Sequence, residues 1–251
     1  MILYEYPLQE RIRTYLRLEH LFIRLQQLLP RVDAMDHHFA LATLFEILEV
    51  TSRADLKSDL LKDLDKQKHA LDVYRGNPAI AESVLDKVIN KLDQSFEALN
   101  NLPGKAGQSL TENDWLMGIR SRIVIPGGTC SFDLPSYHAW QHKPSDIRQE
   151  QLQQWAMSLA PLAEAVQLLL KLLRDSGAPQ KVIANGGQFQ QSLPQGRTFL
   201  LLRLALDEAL ALVPEISGNR LMVSVRLMHQ SDDNRLQSVT EDVNFELALC
   251  A

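Results

Sequence analysis

The hydrophobic period of this chain changes once, near Gly177, and nothing else constrains the fold as strongly. Before that point apolar residues recur at spacings of three and four, the mark of helices with one buried face. Ile12, Tyr15, Leu16, Phe22, Leu25 and Leu29 line one side of a helix from Gln9 to Leu29, stopped by Pro30. The same pattern predicts helices from about Met35 to Val50, from about Ala54 to Tyr74 and from Ala79 to Leu99. Thr111-Glu112-Asn113-Asp114 reads as an N-cap with an acid in the first turn, where the helix dipole favours it. That helix ends before Pro126-Gly127-Gly128. Ser145 reads as a further N-cap, with its helix redirected at Pro161 and ended by Gly177 and Pro179.

After Gly177 the period falls to two. Val223, Val225 and Leu227 alternate with Ser224 and Arg226, as in a half-buried strand. Gln180 to Ala184, Phe199 to Leu206, Leu221 to Met228 and Val243 to Leu247 read as strands between turn-rich segments, and residues 2–7 form another, closed by Pro7. Leu204 to Val213 suits strand or helix equally. Strands at this spacing, without long helices between them, pair antiparallel. The fold class is therefore α+β. An antiparallel helical bundle over residues 8–178 precedes a smaller antiparallel β domain over 179–251, joined by the N-terminal strand 1–7.

Charge and cysteine content narrow the function. Lys and Arg number 26 against 31 Asp and Glu, a net charge of −5, which disfavours nonspecific binding to nucleic acid or to an anionic membrane. Two cysteines, Cys130 and Cys250, support neither a disulfide framework nor a cysteine-rich zinc module. The greasiest stretches, Leu159 to Leu173 and Phe199 to Val213, are broken by charges and fall short of the ~20 apolar residues of a membrane span. The opening residues lack the basic and apolar regions of a signal peptide. No membrane insertion and a cytoplasmic location are the resulting expectations.

Candidate chemistry is sparse. Cys130 lies near His138, but nucleophilic catalysis needs thiolate and imidazole in contact and a third group orienting the base. A small half-buried cysteine is the simpler reading. His37 and His38, with Asp33 and Asp36, carry metal-ligand chemistry, yet adjacent helical residues point apart, so a solvated helix start is expected. Pro126-Gly127-Gly128-Thr129 lacks the Lys-Ser/Thr ending of a phosphate loop and reads as a turn. Neither a catalytic group nor a cofactor is implied. Arg53, Lys57, Lys62, Lys66 and Lys68 alternate with Asp55, Asp59, Asp63 and Asp65 as a mixed-charge helix surface.

One constellation stands apart. Arg13, Arg17, His20 and Arg24 are spaced four, three and four apart and so share a helix face. Five arginines and one acid between residues 11 and 31 give that segment a local charge of 5 − 1 = +4. Guanidinium forks suit bidentate recognition of carboxylates better than ammonium groups do. A solvated face neutralised by carboxylates elsewhere accounts for the stripe equally well. Two other functions use the same residues: a thiol enzyme built on Cys130 and His138, and a nucleic-acid binder built on the Arg13/Arg17/Arg24 face.

Several stretches resemble one family. Glu5-Tyr6-Pro7-Leu8 with Arg11-Ile12-Arg13-Thr14-Tyr15-Leu16-Arg17-Leu18-Glu19 is similar to the opening of the ZapD family of bacterial cell-division proteins. So are Leu60 to Gln67, Ile125-Pro126-Gly127-Gly128-Thr129-Cys130-Ser131-Phe132-Asp133-Leu134-Pro135 with its continuation to Trp140, Leu201 to Leu204, and Phe245 to Ala248 with Cys250. The resemblance runs through the whole chain in order. It implies a non-enzymatic homodimer of helical and β domains that binds the C-terminal tail of FtsZ and bundles its filaments at the division ring. It also implies partner contacts at Arg13, Arg17 and His138, and at Arg226 in the β domain, with Arg24 added by the helical spacing. At Trp115 this chain has an aromatic where family members can carry a basic residue, and residues 180–196 match poorly.

Overall fold

A computed structural model describes residues 1–52 and 56–251. Nine α-helices and eight β-strands are present among the described residues. Backbone contacts divide the chain into two compact units, Met1–Leu16 with Leu170–Ala251, and Arg17–Leu169. Helix α1 (Glu10–Leu28) passes from the first unit into the second, and α9 (Ala160–Asp175) passes back.

The second unit is helical. After α1 come α2 (Ala34–Thr51), α3 (Leu56–Asp72), α4 (Glu82–Asn100), the short α5 (Gln108–Thr111), α6 (Asp114–Ile123), α7 (Pro135–Gln141) and α8 (Ser145–Met157). The predicted start of the third helix, with Arg53 and Asp55, lies outside the described residues. Helix α2 buries Leu41, Leu44, Phe45, Ile47 and Leu48 and supplies much of this core. Helix α4 buries a regular stripe of Leu85, Ile89, Leu92 and Leu99, as its amphipathic pattern requires. Asn113 caps α6 by accepting from the Leu116 N–H at 3.1 Å. Ser145 does not cap α8; the cap position falls on Pro144, which has no side-chain acceptor, and Ser145 is the first helical residue. Pro161 lies in the first turn of α9, where its missing N–H costs nothing, and the axis bends by 61° between α8 and α9. No single helix among the described residues is long and apolar enough to cross a membrane.

In the first unit, β1 (Ile2–Pro7), β2 (Gln180–Ala184), β4 (Leu201–Leu206) and β8 (Val243–Cys250) form one antiparallel sheet in the order β1-β4-β8-β2. The remaining strands are β3 (Gln188–Ser192), β5 (Leu212–Gly218), β6 (Met222–Gln230) and β7 (Leu236–Ser238). They form a second antiparallel sheet in the order β3-β6-β5, with β7 also pairing β6. Two sheets therefore stand where the sequence implied one. Their inward residues share a core of Leu202, Leu204, Leu206, Val223, Val225, Leu227, Phe245 and Leu247. The ambiguous stretch after Leu204 resolves as strand to Leu206, a 3₁₀ turn over Glu208–Leu210 capped by Asp207, and strand again from Leu212.

Glu5 on β1 fastens three elements of this unit. Arg174 at the end of α9 grips it bidentately, Nε to Oε1 at 2.8 Å and Nη2 to Oε2 at 2.7 Å, and Arg203 on β4 adds a 3.1 Å bond. The fork geometry makes this triad stronger than an exposed ion pair.

Candidate partner-binding site

The arginine stripe forms as its spacing requires, because α1 buries Ile12, Tyr15, Leu18, Phe22 and Leu25 and turns the intervening residues outward. Arg17 and His20 are exposed, and the Arg13 and Arg24 side chains keep more than a third of their surface in solvent. Arg13 donates from Nε to Glu10 at 3.2 Å and sits 5.9 Å from the centre of the Tyr6 ring. Arg24 pairs with Glu46 of α2, and Arg31 stands 4.0 Å from Asp36. Glu10 and Glu46 are themselves largely solvated, so each of their pairs contributes only ~0–1 kcal/mol and yields readily to another anion. Part of the stripe is therefore neutralised locally, without being buried.

His138 is exposed on α7, and the way α7 is seated explains its orientation. Tyr137 and Trp140, three residues apart, are both buried, so His138 and Ala139 face outward. The Tyr137 and Trp140 rings stack at 5.8 Å, and Trp115 and Trp155 complete a cluster that contains every tryptophan in the chain. Trp115 is thus a packing residue. The outward neighbour of His138 is His142, one turn along, with ring centres 4.4 Å apart.

Behind α7 lies a polar framework that sequence reasoning missed. His37 and His38 do not form a solvated helix start: His37 is 0% exposed and His38 half-buried. The His37 Nε2–H donates to the Arg31 carbonyl at 2.6 Å, and Tyr137 OH donates to His38 Nδ1 at 2.8 Å while accepting from Gln141 at 3.3 Å. Arg148, buried on α8, donates to the carbonyls of Val32 and Gln141 at 2.7 and 2.6 Å. Gln149 takes the Pro30 and Arg31 carbonyls, both at 2.9 Å. Side chains thus hold the Pro30, Arg31 and Val32 carbonyls of the α1–α2 connection, which lack helical partners. Burial lowers the basicity of both histidines and raises that of the Tyr137 phenolate. The available signal was the pair His37-His38 beside an arginine and a glutamine in adjacent positions, but no local pattern marks such residues as buried.

The turn before α7 is built for shape. Gly127 has φ +71°, and a Cβ on Gly128 would lie 2.5 Å from the Arg122 carbonyl oxygen. Successive backbone bonds from Ile125, Gly128 and Cys130 N–H close it, as a conformational turn requires. Cys130 is exposed here rather than half-buried, whereas Cys250 is buried and its thiol pKa is raised by that burial. Among the described residues no group of three His, Cys, Asp or Glu side chains is placed to hold a metal ion.

Arg226 lies on the exposed side of β6 in the first unit, 4.0 Å from Glu215 across the strand pair. Of the expected contact residues, Arg13 and Arg226 belong to the first unit and Arg17, Arg24 and His138 to the second. Arg13, Arg17 and Arg24 share one continuous helix.

Comparison with known proteins is consistent along the chain. The family profile described as ZapD, cell division protein, matches residues 16–226. Proteins named cell division protein ZapD from Cupriavidus taiwanensis and Ralstonia pickettii are each 51% identical over 251 residues, spanning 100% of this chain and 99% of their own length. One of the same name from Ralstonia nicotianae is 52% identical over the same span.

Proposed function

Because this chain belongs to the ZapD family of cell division proteins, we propose that it acts without catalysis, binding the carboxylate-bearing C-terminal tail of FtsZ through the arginine face of α1. Arg13, Arg17 and Arg24 make the main contacts, with His138 and Arg226 as further ones. The observation that carries this reading is the solvent access of three guanidiniums on one helix, two of which, Arg13 and Arg24, pair with exposed carboxylates. Charged hydrogen bonds to an incoming carboxylate contribute ~1.5–3 kcal/mol where water is excluded, and less where the contact stays wet. One site of this kind binds modestly. A homodimer presents two, so it holds tails from two filaments, and many tails along each filament multiply the effect. Cross-linking and bundling of filaments are the expected result, with the protein cytoplasmic and recruited to the mid-cell division site. The partition proposed with it assigns residues 8–178 to a helical domain and 179–251, with strand 1–7, to a β domain.

Filament co-sedimentation tests the reading. Arg13→Glu combined with Arg17→Glu abolishes bundling while leaving the circular dichroism spectrum and dimer mass unchanged. Undiminished bundling by the folded double variant refutes the site. Cys130→Ala retains full bundling, which separates this reading from a thiol enzyme.

A further inference from the structure

Three connections in the first unit line a cavity of about 640 Å³: the residues leaving β1, the segment between β3 and β4, and the β5–β6 turn. One part of its wall is apolar, from Leu8, Leu193, Phe199 and Leu221. Leu221 is 69% exposed, an unusual position for a leucine held in a fixed turn. The rest is cationic, from Arg197 and Arg220. The Arg197 guanidinium lies 5.0 Å from the centre of the Phe199 ring, so the apolar and charged surfaces adjoin.

Backbone bonds tie the walls together. Leu8 N–H donates to the Leu200 carbonyl at 2.9 Å, and Leu193 N–H to the Leu221 carbonyl at 2.7 Å. Asn219 Oδ1 accepts from the N–H groups of Leu221 and Met222 at 2.8 and 3.1 Å, which fixes the turn carrying Arg220 and Leu221. The one acid in the lining, Glu10, is already paired with Arg13. The cavity is therefore pre-formed and carries a positive excess beside a greasy wall. An inorganic anion would leave the leucines wet, and a neutral apolar ligand would leave the guanidiniums unmatched.

We propose that this cavity is a separate peptide site, which takes an acidic segment bearing one large apolar side chain. The carboxylates meet Arg197 and Arg220, and the side chain lies against Leu8, Phe199 and Leu221. This site does not depend on binding of the FtsZ tail by α1.

The test uses the full-length chain and a fluorescein-labelled hexapeptide of alternating aspartate and leucine, followed by fluorescence anisotropy. Saturable, salt-sensitive binding is expected, weakened about tenfold or more by Arg197→Glu with Arg220→Glu. Leu221→Ser weakens it several-fold, and Arg17→Glu with Arg24→Glu, neither of which touches the lining, leaves it unchanged. Aspartate–serine and lysine–leucine hexapeptides bind far more weakly. Should the double glutamate variant fail to fold by circular dichroism, Arg197→Gln with Arg220→Gln gives the same comparison at smaller amplitude. The proposal is overturned by absence of saturation, or by equal or tighter binding of the lysine peptide or of a single-stranded oligonucleotide. Loss of binding on changing Arg17 and Arg24 instead of Arg197 and Arg220 also overturns it. Failure here leaves the bundling test intact, since that test reads only the α1 variants.

Discussion

Glu5 illustrates how much a single residue decides in the β unit. It is 17% exposed at its side chain and held by two guanidiniums, so Glu5→Ala leaves Arg174 and Arg203 without their shared counter-charge. A loss of about 2–3 kcal/mol is expected, below the full cost of breaking a wholly buried pair because the guanidiniums retain some water. Urea denaturation measures it, and an unchanged midpoint would contradict the role. His37 gives the pH dependence. Its buried ring faces the Arg148 cation, with Asp33 and Asp36 on its own helix side, and burial lowers its pKa below the ordinary 6.5. His38 shifts the same way. The unfolded chain therefore takes up protons near pH 6.5 that the folded chain refuses, and stability falls as pH drops through that value. Above it these two histidines contribute no slope. Denaturation midpoints at neutral and mildly acidic pH should differ, and His37→Gln, which can keep the donor to the Arg31 carbonyl, should reduce the difference.

At the scale of elements, α7 is the informative case. Its seven residues are too few to be stable alone, and their helical form depends on seating Tyr137 and Trp140 in the tryptophan cluster. Trp115→Ala removes a ring that touches Tyr137, Trp140 and Trp155. It should cost about 2–4 kcal/mol, discounted from the value for a fully buried tryptophan, and should shift the tryptophan emission of the remaining two. Because α7 also aims His138, a proposed partner contact, the same variant should weaken the proposed filament binding more than its stability loss alone accounts for, as read by co-sedimentation at a temperature where it stays folded. Gly128→Ala makes a related point. The added Cβ would meet the Arg122 carbonyl at 2.5 Å, so the turn ahead of α7 must shift.

At the scale of the whole molecule, valence and screening govern partner binding. The proposed bundling through solvated guanidiniums should decline steeply as salt rises, because exposed pairs are screened within about 10 Å at 0.1 M ionic strength. Turbidity or co-sedimentation across a salt series checks this, and salt-independent bundling would point to an apolar contact instead. A variant that binds tail peptide but sediments as a monomer should not bundle. The net charge of −5 looks different at this scale. It sums a basic α1 segment, +4 over residues 11–31, with a C-terminal stretch over residues 232–251, where Arg235 stands against Asp232, Asp233, Glu241, Asp242 and Glu246.

Much of this was legible without coordinates. Hydrophobic period is a property of neighbouring residues, so α1, α2, α4, α6 and the strands β1, β2, β4, β6 and β8 could be read directly, and with them the α+β class. The arginine face of α1 was legible for the same reason. Strands β3, β5 and β7 were not, because Gln188–Ser192 and Leu236–Ser238 are mostly polar and become strands only by pairing with β6. Nor could any local pattern separate one sheet from two, since which strands pair depends on contacts distant in sequence. The burial of His37 and Arg148, the tryptophan cluster that orients His138, and the cavity around Arg197 and Arg220 belong to tertiary structure alone. In each of them, residues from separate elements meet across distances in sequence that periodicity cannot span.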